Sequence, residues 1–408
     1  NSGEFCDLRN YVMSKCLWHP GADSWALAER FCRLHYGAAA DEMLAYIRRM
    51  HEVSETQGFH PDCGPPPERL GFTAATSREF AGFFERALAK AENETIRERV
   101  EKASIPVYKA QLLTMDTSWR YESGRINRVL APEYSTIREQ YAALCQKYTM
   151  TMHNEGTTLA DFLKQDQEEE SVPAVPIENS VWRILVTPEH NGAVVGLFHK
   201  PSGRELLRAL QSNNITKGIL ETYIQAGPYQ RTKYMNCAVE STENRVILTK
   251  NLPEGTVEVR TITLPEDHPE LVEVGFTLTQ GTNGEQAFRF TSQAGFHPGT
   301  HATTADVLSV YVKDNGWKLV NRDWLIDDGP DSELMDHAQE GGFAFFNHAE
   351  KFGVELDATP GEVGKFYMFW HPDRPQLNMD VRTPTVTLSP GKSLSLNYSL
   401  RYLTEAPR

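Results

Sequence analysis

Asp166-Gln-Glu-Glu-Glu-Ser-Val-Pro-Ala-Val-Pro176 separates two parts of the chain that obey different periodicities. Its clustered carboxylates repel one another, and its prolines disfavour both helix and central strand, so residues 166–176 read as an exposed linker. Before it, apolar residues recur every three or four positions; after it, they alternate. That change of period predicts an α+β chain, with a helical region first and an antiparallel β-sandwich over residues 177–408.

The alternation is plainest in two runs. Val272, Val274, Phe276 and Leu278 interleave with Glu273, Gly275, Thr277 and Thr279, and Leu394, Leu396, Tyr398, Leu400 and Tyr402 interleave with mostly polar neighbours. Turn sequences such as Pro201-Ser-Gly203, Asn283-Gly284 and Pro390-Gly391 break the region into short strands. On the other side of the linker, helices are expected over the first fifty residues. Leu8, Tyr11, Val12, Leu17 and Trp18 face inward in the first; Trp25, Leu27, Ala28, Phe31 and Leu34 do so in the second; Met43, Leu44, Ile47 and Met50 do so in the third. A Gly- and Pro-rich loop covers residues 54–75. The next helix is expected to open on a capping box of Thr76 and Glu79, with Phe80, Phe83, Phe84, Leu88, Ile96 and Val100 along its stripe, and Pro106 interrupts or kinks the pattern. A further helix is expected over residues 132–152, and a short one after Thr158.

Two stretches carry resemblances. Asp7-Leu-Arg-Asn-Tyr-Val-Met-Ser-Lys-Cys-Leu-Trp-His-Pro-Gly-Ala-Asp23, with Phe31, Tyr36, Gly37 and Ala39-Ala40 behind it, resembles the segment that follows the catalytic barrel in the domain-of-unknown-function 4838 group of glycoside-hydrolase-like proteins. That group includes the family 163 endo-β-N-acetylglucosaminidases. Cys16 and His35 depart mildly from the pattern, which more often has Leu and Tyr there. Asn191-Gly-Ala-Val-Val-Gly-Leu-Phe-His-Lys-Pro-Ser-Gly-Arg-Glu-Leu-Leu207 is similar to the first hairpin of galactose-mutarotase-like supersandwich domains, as is the strand entry beginning at Leu388. The first resemblance implies that residues 1–52 follow a TIM barrel absent from this chain and pack against it. Only helical patterns precede residue 172, where a barrel would need about 250 residues of alternating strands and helices. Residues 53–165 then form a helical bundle, and residues 177–408 the supersandwich. The chain reads as the C-terminal, non-barrel portion of a carbohydrate-active protein in an extracytoplasmic location, scaffolding or extending a glycan site. A polysaccharide lyase that pairs helices with a supersandwich and a stand-alone carbohydrate-binding module are the alternatives.

Composition narrows the partners. A net charge of −14 without a Lys/Arg-rich cluster argues against nucleic acid. No apolar run approaches the ~20 residues that span a bilayer. The cysteines include no C-x-x-C pair and read as buried apolar residues.

Candidate site residues follow from chemistry and position. Glu4 lies where a last barrel strand would deliver its loop to an active-site face. His297-Pro-Gly-Thr-His301 places two imidazoles in a loop with no acidic third ligand at a recognisable spacing, so no metal is expected and a sugar contact or hydrogen-bonded loop pair is the better reading. Asp327 and Asp328 sit near Trp324; paired carboxylates serve glycoside hydrolysis, though a solvated acidic loop is the simpler account. Trp317, Trp324, Trp370, Tyr367 and His371 form either a stacking platform for sugar rings or, for Trp370, sandwich core. The residues expected to line a carbohydrate surface are Arg289, His297, His301, Trp324 and His371. No cofactor is expected.

Overall fold

The structure, a computed structural model, describes residues 5–56, 71–115, 117–154, 156–168, 171–207, 209–211, 219–224, 236–281, 284–299, 307–313, 315–320, 341–371 and 376–408. They form two compact units, Asn1–Thr117 with Val129–Glu170, and Ser118–Arg128 with Ser171–Arg408.

The first unit contains α1 (Cys6–Trp18), α2 (Ser24–Tyr36), α3 (Ala40–Thr56), α4 (Ala74–Lys90), α5 (Glu94–Thr114), α6 (Tyr134–Lys147) and α7 (Leu159–Glu168). Short side chains start several of them. The Asp23 carboxylate accepts the Trp25 and Ala26 amides, and Asn93 Oδ1 accepts the Ile96 amide. The capping box on α4 uses Thr73 and Thr76 in place of Thr76 and Glu79: each threonine side chain bonds the other's amide, which frees Glu79 to pair with Arg49 at 2.8 Å. Gly37, at φ +51°, ends α2. Tyr46 anchors the core, with Phe80 edge-on at 5.3 Å and Phe84 at 4.8 Å. Pro106 does not interrupt α5, which runs through it.

In α1 the expected inward stripe is only partly buried. Leu8 is buried, whereas Leu17 and Trp18 are 80% and 82% exposed. At 100° per residue Leu17 comes half a turn out of phase with Leu8, so one face cannot bury both. Trp25 and Leu34 of α2 are exposed as well.

The second unit is built from antiparallel sheets. Nine strands form the largest, in the order β17 (Trp317–Leu319), β16 (Leu308–Lys313), β18 (Gly342–Asn347), β19 (Phe352–Ala358), β23 (Ser393–Leu403), β12 (Leu271–Thr279), β11 (Val257–Thr263), β10 (Arg245–Asn251) and β9 (Ala238–Ser241). A second sheet runs β15 (Gly295–Phe296), β21 (Gln376–Arg382), β14 (Phe290–Gln293) and β8 (Glu221–Ile224), and β20 (Lys365–His371) also pairs with β21. A third runs β4 (Val175–Glu178), β5 (Trp182–Thr187), β6 (Ala193–His199) and β7 (Arg204–Glu205); a two-stranded pair joins β13 (Gln286–Phe288) to β22 (Val386–Leu388). One core lies between these sheets. Leu248 and Phe276 from the nine-stranded sheet pack with Phe290 and Met379 from the second and Ile184 and Leu197 from the third, which makes the unit a β-sandwich.

A hairpin within the region read as helical belongs to this unit. β1 (Thr117–Glu122) and β2 (Arg125–Leu130) turn through Ser123 and Gly124, both at positive φ, and β2 pairs with β3 (Ser171–Pro173). Pro173 and Pro176 therefore lie in strands rather than in coil; β3 and β4 are edge strands, where a missing N–H is tolerated. The turn that opens β6 is held from below: the buried Arg260 guanidinium donates to the Gly192 carbonyl at 2.6 Å and to the Asn191 carbonyl at 3.1 Å.

Candidate functional site

The sheet containing β21 has one face in the core and one turned away from it. Period two decides which residues lie where. Leu377, Met379 and Val381 join the core, so Asn378, Asp380 and Arg382 take the other side. On β14, Phe290 is core and Ser292 bonds the core-side Tyr398 hydroxyl at 2.8 Å, which leaves Thr291 opposite Arg382. Arg289 lies between β13 and β14, flanked by the core residues Phe288 and Phe290. Tyr367 of β20 pairs in register with Asp380.

Asp380 is the chemically unusual member. Only 6% of it is exposed, and its Oδ1 accepts the Ala294 amide at 3.3 Å. Burial raises its pKa to about 7, against the lowering effects of the Ala294 N–H and the Arg382 charge. Near neutral pH both forms of the acid are therefore populated, the condition under which a carboxyl both gives and takes protons. Around it, polar groups are incompletely used. Among the described residues Arg289 Nε, Thr291 Oγ1 and Arg382 Nε are buried without a hydrogen-bond partner. The Arg382 guanidinium carbon sits 5.1 Å from the Tyr367 ring centroid. Buried donors left open in this way carry a desolvation cost unless another molecule accepts from them.

His297 follows directly on β15. Its amide donates to the Leu206 carbonyl at 2.8 Å, and its Nδ1 accepts the Gly299 amide at 3.3 Å, which assigns the proton to Nε2 when the ring is neutral. The turn beyond it is clamped: Asn347 Nδ2 donates to the Pro298 carbonyl at 2.8 Å. Gly299, at φ +113°, must lack a Cβ, which would fall 2.3 Å from Asn347 Nδ2. Since Gly295 pairs with Asn378, His297 and Asp380 share a face but are separated by four residues of strand, about 13 Å, so they do not bond directly. A second buried acid lies next to this turn. Glu205 Oε1 accepts the Leu197 amide at 2.9 Å and the Leu207 amide at 3.1 Å, and burial raises its pKa to about 7 against those bonds.

Of the residues expected to line a sugar surface, His297 is thus brought to the face of Asp380, whereas Arg289 lies in the link between β13 and β14. His371 closes β20, and its side chain lies outside the described residues, as do His301, Trp324, Asp327, Asp328 and Glu4 altogether. Trp317 is on β17, the edge of the nine-stranded sheet, and not on this face; Lys313 Nζ lies 5.9 Å from its ring centroid. Among the described residues no group of three His, Cys, Asp or Glu side chains could hold a metal ion. Asp380, Arg382 and Thr291 were not anticipated. The signal was present in Leu377-Asn-Met-Asp-Val-Arg382, where alternation with core residues places an acid and a base on one face.

No family model and no curated protein matches the chain. Among solved structures it is similar to a galactose mutarotase-like protein from Lactobacillus casei ATCC 334, at 13% identity and a TM-score of 0.42, over 56% of this chain and 99% of that one. It is similar to an aldose epimerase homologue from C. elegans at 11% identity and a TM-score of 0.41, over 57% and 98%. A galactose mutarotase-like protein from Clostridium acetobutylicum gives 9% identity and a TM-score of 0.42, over 57% and 95%.

Proposed function

We propose that the β unit binds a saccharide on the outer face of the sheet around Asp380, and that Asp380 exchanges a proton with it in an aldose-epimerase-like reaction. The observation that carries this reading is the buried carboxyl with a pKa near 7 on the same sheet face as the unpartnered Thr291 Oγ1 and Arg382 Nε. A sugar offers what those groups lack: many hydroxyls, each able to accept and donate. Opening a cyclic aldose moves a proton from the anomeric hydroxyl to the ring oxygen, both of which are bonded to C1. Asp380 takes that proton in its ionised form and, once protonated, returns it to the ring oxygen, while His297, farther along the same face, bonds a hydroxyl elsewhere on the saccharide. The resemblance of the Asn191–Leu207 hairpin to galactose-mutarotase-like domains supports the same substrate class.

A wider reading concerns the parent molecule. The exposed Met13, Leu17 and Trp18 on α1 form apolar surface that the described chain leaves uncovered, which suits helices that pack against a further domain, the TIM barrel that the resemblance of residues 1–52 implies.

The test combines calorimetric titration of mono- and oligosaccharides with polarimetry of freshly dissolved aldoses, on the whole chain and on Asp380→Asn. Expected are millimolar binding, mutarotation faster than the spontaneous rate with an inflection near pH 7, and loss of the rate in the variant. Binding without turnover would leave a carbohydrate-binding module; no binding, or a rate indifferent to Asp380→Asn, sinks the proposal.

A further inference from the structure

The helical unit holds a cavity of about 490 Å³ between α1, the end of α2, the middle of α5 and the turn after α6. Its apolar lining includes Leu8, Tyr36, Ala103, Pro106 and Met150, and its polar lining is cationic on balance. Arg99 and Lys102, three residues apart on α5, share one face of that helix and both border the cavity with His35, against the single carboxylate of Asp7. Among the described residues neither Arg99 nor Lys102 is paired with an acid. Among the described residues, the one hydrogen bond in which either side chain takes part runs from Arg99 Nη1 to the His35 carbonyl at 2.8 Å, at the end of α2. Among the described residues the His35 ring has aromatic neighbours instead of hydrogen-bond partners, stacked on Phe31 at 4.7 Å and edge-on to Tyr36 at 4.8 Å.

Pro106 shapes the wall. It lies inside α5, lacks the N–H that would bond the Lys102 carbonyl, and turns its apolar ring to the cavity lining. The lining thus combines a cationic pair with apolar groups. Two fixed cations and one carboxylate leave about one positive charge, which suits a monoanion better than a phosphate dianion. The volume lies within the range of small-molecule sites.

We propose that this cavity binds an amphiphilic monoanion, a carboxylate with an apolar body of roughly ten carbons, with its head on Lys102 and Arg99 and its body over Leu8, Tyr36 and Pro106. The proposal is independent of the saccharide reading, because every lining residue belongs to the helical unit. It also implies a reporter. Burial, with the charges of Arg99 and Lys102, lowers the pKa of His35, and Asp7 opposes them; a carboxylate seated among these groups would raise it.

The experiment titrates decanoate and, separately, decanol into the whole chain, followed by calorimetry and by the His35 ring resonances. Expected are saturable decanoate binding, at least threefold weaker decanol binding, and an upward shift of the His35 titration with decanoate only. Lys102→Gln, an exposed change that leaves the α2 cap intact, should weaken decanoate about three- to tenfold and leave decanol unchanged. Equal affinities for the two probes, indifference to Lys102→Gln, or no saturable binding at millimolar decanoate would overturn the proposal.

Discussion

Two buried acids, one in each unit, are treated in opposite ways. Asp166 in α7 accepts the Tyr134 hydroxyl at 2.7 Å on one oxygen and Arg138 at 2.9 Å on the other, so its charge is neutralised in place. Next to it the His153 ring stacks flat on Phe162 at 3.9 Å, receives or donates a bond at the Tyr141 hydroxyl, and its carbonyl accepts from Lys109. Asp380 in the β unit accepts one amide, and Thr291 Oγ1 and Arg382 Nε on the same face are not spent on it. A completed network fixes a helix in place. An incomplete one keeps its hydrogen-bonding capacity for something else, and that difference is why the candidate site is assigned to the β unit and not to the equally buried acid of the helical one.

The strongest way to break the contrast is Asp166→Ala. It strands the Arg138 guanidinium, 15% exposed, and should cost on the order of 3–5 kcal/mol in denaturant unfolding of the helical unit. A cost below about 1 kcal/mol would show that the network is not completed in solution.

The second test sets the units against each other by pH. Asp380 titrates at about 7 when folded, against an ordinary 3.8, so the folded form holds its proton longer. Its contribution to stability is whole below the unfolded value and disappears as pH rises through about 7, a change on the order of 2–4 kcal/mol. Glu205 shares the direction and the window. Asp380→Asn should flatten much of this slope in the β unit; an unchanged slope would place the titration elsewhere.

The smallest effect belongs to His153, and its sign is reversed. Burial, aided by the Lys109 charge and opposed by Asp166, lowers its pKa to about 4 from 6.5. Stability present above 6.5 should be lost as pH falls toward 4, on the order of 2 kcal/mol, and His153→Gln should remove that loss. Probes placed in each unit would then read opposite pH responses, the helices losing stability as pH falls from 6.5 toward 4 and the sandwich as pH rises from about 4 through 7.

How much of this was legible in sequence depends on the physics of each feature. The change from helical to strand period survives because burial in each unit is one-sided, as in Val272, Val274, Phe276 and Leu278, all of which are core. The hairpin of β1 and β2 was hidden by its place between two helices of the other unit, although Trp119 and Tyr121 alternate with Arg120 before a Ser-Gly turn. Leu17 and Trp18 misled for a different reason: apolar character says that a residue favours burial, not that the chain supplies the partner. For the site, the histidine and arginine were visible as residue types suited to sugars. Asp380 was not, because its raised pKa comes from burial by elements that are distant in sequence, against the lowering effect of the Ala294 amide.

The position of β23 carries a consequence for how the molecule is made. This strand pairs Leu400 with Val272 on one side and with Leu356 on the other, so it joins the two halves of the nine-stranded sheet. During synthesis, β9 to β12 and β16 to β19 emerge first, and until residues 393–403 leave the ribosome each half keeps an open edge of seven to nine residues. The sandwich therefore cannot close progressively as it is translated. It must wait, with adhesive edges exposed, for a strand drawn from far along the chain, and its yield in the cell depends on how well those edges are shielded in the interval.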